Sequence, residues 1–215
     1  TVYGQPDVLP VTESTPIKKA NSPYGFTKQI GEQIINDFMN VNNEISAISL
    51  RYFNPIGAHD SCLIGELPNG IPNNLLPYIT QTVYGIREKL HVFGGDYNTH
   101  DGTAIRDYIH VVDLAKAHVK SIERLEKKKN EANHEFFNLG TGIGYSVLDV
   151  INAFEKSTGR KVNYEIVAKR SGDVEAVYAN TEIANKHLGW KAKLNIEDMT
   201  KSAWDWEEKL NSTKS

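Results

Sequence analysis

A single cysteine, Cys62, stands among the 215 residues, so no internal disulfide can form and the chain suits a reducing compartment. A plain loop thiol is the simpler reading of Cys62 than a nucleophile. No apolar run approaches the ~20 residues that a membrane-spanning helix needs, which leaves a cytoplasmic protein without a membrane partner as the expectation. Neither sign of charge dominates: 24 Lys and Arg against 27 Asp and Glu give a net charge of -3, with no basic excess to hold nucleic acid. The histidines, His59, His91, His100, His110, His118, His134 and His187, show no paired ligand spacing, and no cysteine cluster joins them. No metal site is expected. Internal repeats are lacking as well. The first residue is threonine, not methionine, so a signal peptide cannot be judged. Nowhere before Tyr24 does a strand lead into a glycine-rich turn.

What is present reads as alternating elements in a chain long enough for a sizeable core, at 40% hydrophobic residues. A helix is expected near 23–40, carrying apolar residues at Ile30, Ile34, Ile35, Phe38 and Met39. An apolar strand near 45–52 follows, then a Pro/Gly/Asn-rich loop from Asn54 to Asn74, of a length that is usually functional. Next come a helix near 75–88, a short strand at His91-Val92-Phe93, a strand near 105–111 and a helix near 113–128. That helix ends in Lys127-Lys128-Lys129, where cations favour a helix C-terminus, a stronger reading than a nucleic-acid patch. Phe136 to Leu139 and Val162 to Val167 read as strands, with Val147 to Lys156 helical between them. Helices near 181–188 and 196–210 close the chain, packed by Trp190, Trp204 and Trp206. The pattern is α/β, with the first elements forming the tail of a doubly wound sheet.

The sharpest chemical feature is Asn21-Ser22-Pro23-Tyr24-Gly25-Phe26-Thr27-Lys28. Ser22 is a good N-cap and Pro23 suits the first helical position, so Tyr24 and Lys28 fall one turn apart on one face. A phenol in free solution ionises near pH ~10, so a tyrosine working as a base near neutrality needs about 4 kcal/mol of help. One ammonium about 4 Å away supplies ~4 kcal/mol at an effective dielectric of ~20. The spacing fits a catalytic base, although the same spacing also occurs in ordinary surface pairs. A second feature, Gly140-Thr141-Gly142-Ile143-Gly144, imitates a dinucleotide fingerprint. Its glycines are one residue short of the G-x-G-x-x-G spacing, and no apolar strand ending in an acid follows at the right distance. A tight strand-to-helix turn is the stronger of the two readings.

In order along the chain stand Thr1-Val2-Tyr3-Gly4, Ser22 to Lys28, Arg51-Tyr52-Phe53-Asn54-Pro55-Ile56-Gly57-Ala58-His59, Gly70-Ile71-Pro72-Asn73-Asn74-Leu75 and Ile105-Arg106-Asp107-Tyr108-Ile109-His110. This series resembles UDP-galactose 4-epimerase, of the extended short-chain dehydrogenases, from Thr1 to about Trp206, and is nearest in detail to the epimerase part of fungal members. The resemblance implies the C-terminal part of a Rossmann-like doubly wound sheet plus a smaller mixed α/β substrate domain. Residues 1–53 would be the remainder of the NAD-binding domain, with later segments returning to it. Residues 54–210 would mainly bind nucleotide sugar, and 211–215 would be a tail. It also implies a dinucleotide-binding part of on the order of 100 residues ahead of Thr1, with the family's catalytic serine just before Thr1.

The same resemblance assigns roles. Tyr24 would take the proton of the sugar C4 hydroxyl while hydride leaves for NAD and later returns to the opposite face, converting UDP-galactose and UDP-glucose into each other. Lys28 would assist Tyr24 and hold the nicotinamide ribose, and Phe53 would lie beside the nicotinamide. Arg106 and Arg170 would bind the diphosphate, for which guanidinium groups are suited by their paired donors; on local sequence alone either could equally serve a structural ion pair. Asp173 would reach the uridine ribose and Asn54 the substrate. Asn74 and Leu75 open a helix whose free N–H groups favour anions, and His91, Val92 and Phe93 would flank the uracil. At the position of Val177 some members carry tyrosine and others a small residue, which implies tolerance for an N-acetyl group at sugar C2. A homodimer is common in the family. Two other readings stay open: a truncated, inactive nucleotide-sugar-binding fragment, and a sister dehydratase or decarboxylase. A sheet cut at Thr1 would expose strand edges, so the isolated chain is expected to be poorly soluble.

Overall fold

The computed structural model describes residues 1–170 and 172–212. The first helix, α1 (Pro23–Val41), starts where expected: the Ser22 side chain accepts from the Gly25 N–H at 3.0 Å, and Pro23 sits at the first position. Of its apolar stripe only Met39 is buried; Ile34 and Phe38 point outward, more than half exposed.

β1 (Ala47–Tyr52) pairs in parallel with β5 (His134–Leu139), Ala47 opposite His134. A second sheet is built on β4 (Ile105–His110). Its C-terminal half runs parallel to β2 (Asn54–Ile56), and its start lies between β6 (Gly144–Ser146), antiparallel, and β8 (Ala176–Val177), parallel. β3 (Leu90–Phe93) pairs in parallel with β7 (Tyr164–Val167). Helices α2 (Leu75–Tyr84), α3 (Val111–Glu126), α4 (Val147–Thr158) and α5 (Ile196–Ser212) complete a mixed α/β fold with parallel sheets, the class the sequence implied. None of the described helices is long and apolar enough to cross a membrane.

Two cores hold these layers. One packs Leu76, Ile79, Phe154, Met199 and Trp204 between α2, α4 and α5, with the Phe154 and Trp204 rings edge to face at 5.9 Å. The other packs Ile109, Phe137, Leu139, Leu188 and Trp190 beside β1 and β5, and the Trp190 indole donates to the Asp113 carbonyl at 2.9 Å.

Several expected boundaries shift for local reasons. The helix expected over 75–88 stops at Tyr84 because Gly85, at φ +90°, closes it in the left-handed region. The segment expected as a helix near 181–188 contains a single π-helical turn, Ala184–Leu188, ended by Gly189 at φ +61°. The long loop yields Asn54–Ile56 to a strand, and β6 and β8 are too short to show periodicity in sequence. Of the tail expected over 211–215, Asn211 and Ser212 end α5; residues 213–215 lie outside the described residues, as does Ser171.

His110 ends β4 and caps α3. Its Nδ1 accepts from the Val112 N–H at 3.1 Å, and its Nε2 is 3.0 Å from the Ser202 hydroxyl. That arrangement needs a neutral ring, and burial lowers its pKa below the ordinary value. The unfolded chain therefore takes up a proton at higher pH than the folded one. This contribution to stability is present above the unfolded value of about 6.5 and is lost as pH falls through the lowered folded value. Unfolding by urea at a series of pH values should show it. His110→Asn, which keeps a capping acceptor, should flatten the slope, which for one proton is at most ~1.4 kcal/mol per pH unit. His134, lowered by burial in the same way, adds with the same sign, so the slope shrinks but persists. An unchanged slope in His110→Asn would contradict the assignment.

Candidate functional site

The first twenty residues have little secondary structure, so side chains anchor them. Arg51, at the end of β1, forks onto Glu32 of α1 at 2.8 and 2.6 Å and lies over the Tyr3 and Phe136 rings at 4.9 and 4.6 Å. It also donates to the Tyr3 hydroxyl at 3.0 Å, and that hydroxyl donates to Asn138 Oδ1 at 2.5 Å. Gln29 of α1 donates to the Val2 and Lys18 carbonyls. The outcome is a small apolar cluster of Val2, Tyr3 and Val11, against which Phe53 and Val177 pack. Two residues far apart in sequence, each predicted for the site, thus share one wall.

β4 carries the next group. Arg106 pairs with Val177 in register, and its guanidinium donates to Asp173 at 2.6 Å. The Asp173 N–H approaches the Arg170 carbonyl at 3.4 Å, and the Arg170 guanidinium lies 3.8 Å from the centre of the Phe93 ring. Arg106, Asp173, Arg170 and Phe93 therefore form a continuous run from β4 to the end of β3. Along β3, Val92 is buried, while His91 is exposed with its Nε2 3.1 Å from a Glu165 oxygen. Asn54 sits in β2 opposite Tyr108.

Tyr24 is 64% exposed at the start of α1, and the Lys28 ammonium lies 5.1 Å from the centre of its ring. Thr1 links this pair to the β4 group, because it packs beside Gly25 and lies close enough to Arg106 to feel its charge. Asn74 is the N-cap of α2 without a side-chain capping bond, and its amide donates instead to Glu66 at 2.6 Å. No hydrogen bond or ion pair joins Asn74 or Leu75 to the Arg106 group among the described residues.

The glycine-rich turn has a specific occupant. Asp107 is fully buried, and its carboxylate accepts from the N–H and hydroxyl of Thr141, both at 2.8 Å, from Gly142 N at 3.0 Å and from Ala179 N at 3.1 Å. A Cβ at Gly140 would stand 2.3 Å from that carboxylate, so glycine is required there. The N–H groups that would have cradled a phosphate are engaged by a side chain of the chain itself. Burial raises the Asp107 pKa, opposed by the hydrogen bonds, chiefly from Thr141. Sequence reasoning missed Asp107; the available signal was an acid in a strand, Ile105–His110, opposite a glycine turn needing an anion.

His100, Asp101 and Asp149 also bring ligand atoms within 4.8 Å of one another. Asp149 closes a capping box with Ser146, and Asp101 accepts from Ser146 and Thr103. The carboxylates therefore already serve the start of α4.

Residues 1–203 match the family model described as GDP-mannose 4,6 dehydratase. A UDP-glucose 4-epimerase from Drosophila melanogaster is 54% identical over 209 residues, which cover 96% of this chain and 59% of that protein. A solved UDP-glucose 4-epimerase from Stenotrophomonas maltophila, with bound NAD and formylated UDP-arabinopyranose, superposes with a TM-score of 0.94 at 44% identity, covering 99% of this chain and 62% of that one. Another from Bifidobacterium longum, in complex with NAD+ and UDP, gives 0.91 at 48% identity, covering 97% and 61%. The chain spans 59% to 61% of the length of the curated relatives it matches.

Proposed function

We propose a function from one premise: the chain belongs to the GDP-mannose 4,6 dehydratase family, whose model covers residues 1–203. The reading supported best is interconversion of UDP-galactose and UDP-glucose with NAD, the reaction of the epimerases that are 54% and 50% identical to it. The observation that carries it is the two side-chain pairs Arg106–Asp173 and Arg170–Phe93, linked through the backbone contact of Asp173 with Arg170, which offer two guanidinium groups, a carboxylate and an aromatic ring. That set matches a nucleoside diphosphate: cations for the phosphates, an acceptor for ribose hydroxyls, and a ring for the base. In this reading residues 1–53, joined by β5, serve the cofactor, and 54–210 mainly the nucleotide sugar.

The residues present suit the nicotinamide end of NAD. Tyr24 and Lys28 are exposed together, and Phe53 follows the C-terminal end of a parallel strand, the edge where α/β sheets take nucleotides. NAD, when bound, supplies the hydride acceptor and donor for sugar C4. Tyr24 accepts the proton of the C4 hydroxyl and returns it to the same oxygen, with Lys28 one turn along the same helix. Arg106 and Arg170 hold the diphosphate, which leaves the sugar free to present either face. A homodimer through the outward face of α1, with Ile34, Phe38 and Val41, belongs to the same reading, and sedimentation of the protein would test it.

Incubation with NAD and UDP-galactose, followed by proton NMR of the anomeric signals, is expected to show UDP-glucose accumulating to equilibrium. A deoxy-keto sugar product would favour a dehydratase, and failure to bind UDP in a calorimeter would overturn the nucleotide-sugar reading altogether. Val177 adds a specificity prediction. Valine beside Phe53 leaves more room than tyrosine, so UDP-N-acetylglucosamine should be a substrate, and Val177→Tyr should cut its kcat/KM by about tenfold or more while sparing UDP-glucose. Equal exclusion of the acetylated sugar by both forms would refute this.

A further inference from the structure

Tyr97 lies in the loop between β3 and β4, only 9% exposed, and its hydroxyl is buried with no hydrogen-bond partner among the described residues. A buried hydroxyl left unmet is unfavourable, so its neighbours matter. The ring cannot easily swing away. Gly94, at φ +83°, backs it so closely that a Cβ would stand 2.4 Å from the ring, and the Lys169 ammonium sits 4.3 Å from the ring centre, itself tied to Asp96. The loop backbone is fixed too: Tyr97 N donates to the Gly102 carbonyl at 2.9 Å, and Asn98 N to Glu175 at 2.9 Å.

The charges close to the hydroxyl are Asp173, Lys169 and Arg106. Asp173 is the acceptor among them. Its Oδ1 takes the Arg106 guanidinium at 2.6 Å and the Val174 N–H at 3.0 Å. Arg106 thus has two competing claims on it, the Asp173 carboxylate and, if the proposed function holds, the diphosphate of the substrate. A diphosphate that draws Arg106 toward itself strips Asp173 of its main donor at the moment Asp173 must meet the ribose.

We propose that Tyr97 is a positioning residue for Asp173: its hydroxyl donates to the Asp173 carboxylate when a nucleoside diphosphate takes the Arg106 guanidinium. The exchange keeps Asp173 hydrogen-bonded and oriented. Tyr97 touches neither phosphate nor sugar in this role. The inference rests on the nucleotide-sugar reading above and adds a residue to it.

UDP is the probe, titrated calorimetrically into the wild-type protein, Tyr97→Phe, Asp173→Ala and the double variant. Tyr97→Phe is expected to weaken UDP binding about tenfold, the worth of one hydrogen bond to a charged acceptor. Its thermal midpoint should hold or rise, since a buried hydroxyl without a partner has been removed. A residue needed only for folding would move the midpoint down instead. In the double variant the loss should not exceed that of Asp173→Ala alone, because the hydroxyl acts through that carboxylate. Equal UDP affinity in wild type and Tyr97→Phe, or losses that add in the double variant, would overturn the role of Tyr97 and leave the nucleotide-sugar reading standing. No UDP binding by the wild type would overturn both.

Discussion

Replacing Tyr24 by phenylalanine should, on the proposed function, lower turnover of UDP-galactose by about 10²- to 10⁴-fold, the usual contribution of a positioned proton-transfer group. UDP affinity should stay where it was, because the residues proposed for the diphosphate lie on β4, after β7 and at the end of β3 rather than on α1. Stability should also hold. The Tyr24 ring is 64% exposed and only its backbone carbonyl takes part in a hydrogen bond, from the Thr27 hydroxyl at 2.7 Å. A substitution at such a position typically changes stability by no more than about 0.5 kcal/mol. The three readouts together separate chemistry from binding and from folding: steady-state rates with UDP-galactose, UDP calorimetry and thermal unfolding. Full turnover in Tyr24→Phe would remove the phenol from the reaction. Loss of UDP affinity alongside turnover would mean that Tyr24 holds substrate instead.

The largest effect on stability is expected at Asp107. Asp107→Ala removes an acceptor shared by three buried or half-buried N–H groups and one hydroxyl, in two separate segments. Each unmet buried donor costs about 1–3 kcal/mol, and water admitted to the new space recovers part of that, so a loss of about 3–5 kcal/mol is reasonable against a typical total of roughly 5–15 kcal/mol. Asp107→Asn is a stricter test because it keeps shape. The amide offers one oxygen, and its NH₂ must face N–H groups wherever it is placed, so this variant should also lose stability. Denaturant unfolding of both variants would measure the losses. Wild-type stability in Asp107→Asn would show that shape, not the carboxylate, holds the turn. Since Ala179, two residues after β8, is held by the same carboxylate, these variants should weaken UDP binding as well, through displacement of β8 and of its partner Arg106.

Much of the scaffold was legible in the sequence where one residue type decides the outcome locally. Ser22 and Pro23 set the start of α1, and Ser146 set the start of α4 with its own capping box. Gly85 cut α2 short at Tyr84, before the end expected near residue 88, by taking the left-handed conformation. Strands of two or three residues, such as β6 and β8, were hidden because alternation needs a longer run to appear. In the candidate site, the motifs supplied the members but not their partners. That Arg106 would bond Asp173, 67 residues away, depends on the pairing of β4 with β8, which no local pattern carries. Tyr97 was invisible for a similar reason: burial of its hydroxyl follows from a loop wrapped over Gly94 and braced on Glu175. The outward turn of Ile34 and Phe38 shows the opposite limit, since a helical apolar stripe tells that a face seeks cover and not what covers it.

The turn at Gly140–Gly142 is a receptor whose ligand is covalently tethered. Because Asp107 rides on the neighbouring strand, its effective concentration at the N–H groups far exceeds that of any dissolved anion, and no metabolite can displace it. A loop chemistry that elsewhere captures and releases phosphate becomes here a permanent clasp between strands. Glycine spacing alone therefore announces an anion without saying whether it arrives from solution or belongs to the chain. The distinction can be made visible: in Asp107→Ala the tether is gone but the receptor remains, so formate should restore part of the lost stability where uncharged formamide does not.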